Sequence, residues 1–79
     1  MNASEIIKYI IKKSRTSQKD VAALIEMNKK TLDNKFYRDN FEANDLFKIA
    51  DILGMKIVFI DKETENIIFD TSSATPIEN

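Results

Sequence analysis

Between positions 8 and 38 stand nine basic side chains, Lys8, Lys12, Lys13, Arg15, Lys19, Lys29, Lys30, Lys35 and Arg38, against three acids, Asp20, Glu26 and Asp33. The chemistry such a segment offers is phosphate neutralisation, in which ammonium and guanidinium groups displace the counterions of a nucleic acid. From Asp39 onward the sign reverses, with nine acids and three basic residues. A net charge of −1 thus conceals a basic half joined to an acidic half. That distribution suits a protein with one face on phosphates and the other repelled by them.

Other chemistries lack residues to carry them. Without Cys or His there is no disulfide, no thiolate or imidazole nucleophile, and none of the usual zinc ligands. Carboxylates are plentiful, but none sits in a pattern that implies a pocket, and there is no phosphate-binding loop. The expectation is a non-enzyme with no metal and no cofactor. The longest apolar runs, Ile57 to Ile60 and Ile67 to Phe69, fall far short of the roughly 20 residues that span a bilayer. The first five residues lack the basic region of a signal peptide. No membrane contact and a cytoplasmic location are expected.

The elements that must position the basic residues follow from caps and periodicity. Ser4 is the expected cap of a first helix over Glu5 to Ser14, where Ile6, Ile7, Ile10 and Ile11 form one apolar stripe. Ser17, with Asp20 three residues on, predicts the start of a second helix of about eight residues carrying Val21, Ala22, Leu24 and Ile25. Asn28 predicts a third start, and Leu32 and Phe36 mark that helix's inner side. A fourth helix runs from Glu42 or Ala43 to Leu53, with Leu46, Ile49, Ala50 and Leu53 inward and Gly54 ending it. Leu24, Phe36, Phe41 and Phe47 are read as core.

Beyond Gly54 the period shortens to that of strands. Lys56 to Asp61 and Asn66 to Asp70, joined by a polar turn, predict a β-hairpin over residues 55–70. Residues 71–79 offer little to bury and are expected to be a disordered tail. The fold class expected is therefore mainly α, four helices with a C-terminal hairpin, in one domain over residues 1–70. Alternation along the strand sends Ile57 and Phe59 one way and Val58 and Ile60 the other. Because a two-stranded sheet needs one apolar face, a homodimer through Ile57, Val58, Phe59, Ile60 and Ile68 is expected to cover the second.

From Gln18 to Tyr37 the apolar pattern is that of a helix-turn-helix, with Val21, Ile25, Met27 and Leu32 inside and the small Ala22 where the two helices cross. Here the chain resembles the lambda-repressor-like family of phage repressors and Cro proteins, also called the Xre family. The resemblance is carried by Ser17 to Ala22, by Asn28 to Leu32, and by the run Asp45-Leu46-Phe47-Lys48-Ile49-Ala50-Asp51-Ile52-Leu53-Gly54. It covers Glu5 to Gly54. Two departures stand out. Glu26 occupies the turn position that the family usually gives to Gly, at a cost of about 1 kcal/mol if the backbone conformation is kept. The hairpin stands where many relatives have a fifth helix.

The resemblance implies sequence-specific binding of double-stranded DNA and a transcription regulator, of repressor type, from a phage, prophage or mobile element. Carried over position by position, Lys29, Lys30, Asp33 and Asn34 would meet base edges in the major groove. Ser17, Gln18, Thr31, Lys35, Arg38 and Asn40 would meet the backbone. Lysines at a helix start oppose the macrodipole, a local cost that points to an anionic partner. Two other functions use the same residues: an antitoxin whose acidic part covers a basic toxin, and a protein-interaction module that has lost DNA binding.

Overall fold

The computed structural model describes residues 1–71, and residues 72–79, most of the expected tail, lie outside the described residues. Four helices, α1 (Ala3–Lys13), α2 (Gln18–Leu24), α3 (Lys29–Arg38) and α4 (Ala43–Ile52), precede a two-stranded antiparallel hairpin, β1 (Val58–Ile60) and β2 (Ile67–Asp70). Among the described residues, no helix is long and apolar enough to cross a membrane.

The expected caps of α2 and α3 form, Ser17 accepting from the Asp20 amide at 3.1 Å and Asn28 from the Lys30 amide at 2.8 Å, although the Asp20 carboxylate does not return a bond to complete a capping box. The cap of α1 is a correction. Asn2, not Ser4, accepts from the Glu5 amide, and the Asn2 amide in turn donates to the Glu5 carboxylate. This reciprocal pair occupies two otherwise orphaned donors. Ser4 lies within the helix and is buried. Its amide and its hydroxyl both donate to Asp39 Oδ1, at 3.0 and 2.8 Å, so the end of α3 is tied to the start of α1.

All four helices end alike. An amide five residues on reaches back to a helical carbonyl, Thr16 to Ile11, Met27 to Ala22, Asn40 to Lys35 and Met55 to Ala50. Such a bond requires a left-handed residue just before its donor. Arg15, Glu26, Asp39 and Gly54 fill that place, with φ between 51° and 74°. Only the last is glycine, so the turn between α2 and α3 keeps the strained conformation with Glu26 in it. Replacing Glu26 by Gly is expected to raise stability by about 0.5–1 kcal/mol. A thermal melt at neutral pH checks this, and an unchanged or lower midpoint would count against strain at Glu26.

Ile7, Ile11, Val21, Ala22, Leu32 and Ile49 form the buried centre, and Ile10, Ile25, Met27, Phe36, Phe41, Leu46, Ile52 and Leu53 pack around it. Phe36 and Phe41 meet edge to face at 4.9 Å. Helix α2 touches both α3 and α4, and Ala22 is buried among the side chains that join them. Two core assignments are corrected: Leu24 is 58% and Phe47 44% exposed.

The strands are shorter than the apolar runs that announce them. Val58 pairs with Asp70, Phe59 with Phe69 and Ile60 with Ile67, so Ile68 is an extra residue without an opposite partner. Thr71, expected in the tail, continues the pairing through its amide to Ile57 O at 3.0 Å, and its hydroxyl accepts from the Ile57 amide at 2.9 Å. Asp61 organises the turn by accepting from the Glu63 and Thr64 amides. These bonds, despite some desolvation, hold its carboxyl below the usual aspartate value. Ile57 and Val58 are half-buried at the base, whereas Phe59, Ile60, Ile67, Ile68 and Phe69 are exposed. Apolar side chains therefore meet water on both faces of the outer hairpin.

Candidate nucleic-acid interface

Helix α3 is one-sided. Leu32 is fully buried and Phe36 packs against the core, while Lys30, Thr31, Asn34, Tyr37 and Arg38 are exposed. Lys30, Asn34, Tyr37 and Arg38 fall at spacings of four, three and one, so they line a single ridge along the outer surface of the helix. Leu32 fixes which face turns outward, because burying it aims the ridge away from α2. The Asn28 cap leaves the first turn without an acidic side chain, and its two lysines face solvent.

The four residues expected at base edges lie within the first two turns of α3. Among the described residues Lys30 has no ion pair, whereas Lys29 and Asp33 hold each other, with Nζ 2.9 Å from Oδ2 and 3.2 Å from Oδ1. Lys29 thus meets the macrodipole cost with a carboxylate one turn on.

The residues expected at the backbone divide differently. Gln18 is half-buried at the first position of α2, and Ser17 beside it is engaged as the cap. Thr31, Arg38 and Asn40 are exposed. Lys35 is not in the same position: its ammonium lies 3.1 Å from Asp45 Oδ2, and the two side chains are 18% and 12% exposed. That pair joins α3 to α4 and draws the Lys35 charge inward. Asp45 also accepts from the Glu42 amide at 2.9 Å. Burial pushes the Asp45 carboxyl up, but the Glu42 amide and the Lys35 ammonium more than offset it, with help from Lys48, and the net direction is downward.

Sequence reasoning missed Asp45 as the partner of Lys35 and Asp39 as the tie to Ser4. Neither carries a local signal, since the partners are 10 and 35 positions apart and lie on or at the end of different helices. The basic cluster at the end of α1 is more legible: Lys13 Nζ stands 5.7 Å from the Tyr9 ring centroid. Among the described residues, no three His, Cys, Asp or Glu side chains are grouped so as to hold a metal. No family model matches the chain, and no curated protein and no solved structure matches it either; what the surface of α3 does must be argued from its geometry.

Proposed function

We propose that the chain binds double-stranded DNA sequence-dependently through a helix-turn-helix made of α2 and α3, and that it regulates transcription as lambda-repressor-like proteins do. The observation that carries this reading is the ridge of Lys30, Asn34, Tyr37 and Arg38, presented outward by a helix whose opposite side is anchored by the fully buried Leu32. A helix of this width fits the major groove, where lysine can donate to guanine O6 or N7 and asparagine can pair with adenine N6 and N7. Arg38, at the far end of the ridge, together with Thr31, Asn40 and Gln18, would serve as phosphate ligands.

Binding to random-sequence duplex at low salt, read by fluorescence anisotropy, tests the reading, because even non-specific contact registers there. No binding at 50 mM salt, a condition chosen for the test, would overturn it and favour the protein-interaction alternative. On a preferred site, Asn34→Ala is expected to cost about 1–3 kcal/mol while leaving random-duplex binding unchanged. Equal loss on every sequence would remove Asn34 from base reading.

A second copy of the chain is the partner we propose for the hairpin. The support is the exposure of Phe59, Ile60, Ile67, Ile68 and Phe69 on both faces of the strand pair. Ile57 and Val58 are half-buried within the chain itself, so the contact shifts outward from the residues first expected to carry it. Two-fold pairing would set two copies of α3 about 34 Å apart, one helical turn of DNA. Light scattering at micromolar concentration decides the matter: a stable 9.1 kDa species with no symmetry in the selected DNA would exclude the dimer.

A further inference from the structure

We infer that Lys29 and Asp33 act as one unit that reads a single G·C base pair, with Asp33 setting the specificity; the inference rests on the DNA-binding reading above. The two side chains sit one helical turn apart within the first two turns of α3, beside Lys30 and Asn34. The ammonium lies within hydrogen-bond distance of both carboxylate oxygens, and both side chains stay about half exposed. A donor and an acceptor are therefore held side by side, each with capacity left over: a third ammonium proton, and the outer lone pairs of the carboxylate.

Across its major-groove edge a G·C pair presents acceptor, acceptor and donor, namely guanine N7, guanine O6 and the cytosine N4 amino group. The Lys29–Asp33 unit is complementary to that order, with the remaining ammonium proton shared between N7 and O6 and the carboxylate over N4. An A·T pair presents acceptor, donor and acceptor. It would set adenine N6 against the ammonium and thymine O4 against the carboxylate, which repel. On a wrong sequence Asp33 finds no amino group opposite it and adds a negative charge close to phosphates. A carboxylate on a DNA-facing surface weakens binding everywhere except where that amino group donates a hydrogen bond to it, and so discriminates by repulsion.

Selection from a random duplex pool tests this with three proteins: the wild type, Asp33→Asn, and the exchanged double variant Lys29→Asp with Asp33→Lys. The double variant keeps an ion pair at the same spacing and the same net charge, so a merely helix-stabilising role would leave its chosen sequence unaltered. The wild type is expected to fix one G·C pair whose replacement by A·T weakens binding about tenfold. Asp33→Asn is expected to accept A·T there and to hold random duplex about fivefold more tightly. The exchanged variant is expected to invert the pair to C·G. If the wild type binds duplex but both variants select its sequence unchanged, the paired reading is overturned while DNA binding stands. If the wild type binds no duplex at all, both fall together.

Discussion

Lys35→Ala is expected to lower stability by about 2 kcal/mol and to leave the salt dependence of DNA binding unchanged. From the sequence, Lys35 reads as a phosphate ligand, and its removal would then reduce the magnitude of the salt slope by about 1. Its ammonium instead sits 3.1 Å from Asp45 between α3 and α4, with both side chains largely covered. Taking one partner from a fully buried pair costs about 3–5 kcal/mol. Residual exposure, and the Glu42 amide that still bonds Asp45, reduce that figure here.

The same pair sets an acid limit. Because the Asp45 carboxyl titrates below the ordinary aspartate value of 3.8 in the folded chain, the stability it contributes is complete above that value. It is lost as pH falls from there through the lower folded value. Urea melts between pH 7 and pH 3 are expected to show the stability difference between the wild type and Asp45→Asn narrowing only below about pH 4. A difference that persists unchanged at pH 3 would show that Asp45 does not stabilise through its ionised carboxylate; a salt slope that falls on removal of Lys35 would return Lys35 to the phosphate contacts.

What the sequence made legible follows from the range over which each signal acts. Ser17, Asn28 and Gly54 mark helix ends by bonds or backbone angles within five residues, and the structure places the ends there. Asn2 was equally legible, since Glu5 follows it by three, but Ser4 competes for the same role and the sequence does not say which hydroxyl or amide is free. Ser4 is not free, because Asp39 claims it from 35 residues away. The left-handed end at Arg15 leaves no trace in residue type, whereas Asp39 with Asn40 interrupts the apolar pattern and is of a type that tolerates positive φ.

Exposure is the other thing that periodicity does not fix. Leu24 and Phe47 sit at spacings compatible with an inner face, yet α2 is seven residues long and Phe47, which borders a cavity with Met55, Ile57 and Thr71, stays 44% exposed. Likewise the alternation of β1 assigns Phe59 and Ile60 to opposite faces but does not say that both faces lack cover. The extra residue Ile68 in β2 adds a break in register that no pattern of apolar residues announces. On the candidate site, the positions of Lys30, Thr31, Asn34 and Arg38 were legible because one buried residue, Leu32, orients the whole helix. The Lys29–Asp33 pair was legible in its spacing, though not in its geometry.

Leu32→Ala is expected to destabilise the chain by about 2–5 kcal/mol, the largest loss of any single substitution in α3. Leu32 is fully buried in the cluster with Ile7, Val21 and Ile49, and it is the one fully buried residue of that helix. A domain of this size has on the order of 4–12 kcal/mol in total, so the variant would sit near the threshold of folding, with α3 the first element to loosen. Because folded protein binds duplex and unfolded chain does not, a preferred duplex at about 100 times Kd is expected to restore about 2.7 kcal/mol by mass action. Calorimetry of Leu32→Ala with and without that duplex gives the measurement, and the wild type provides the same linkage as a control. A variant that melts like the wild type would remove Leu32 as the anchor of α3. One that is destabilised as expected, but gains nothing from duplex while the wild type does, would show that binding uses a different surface.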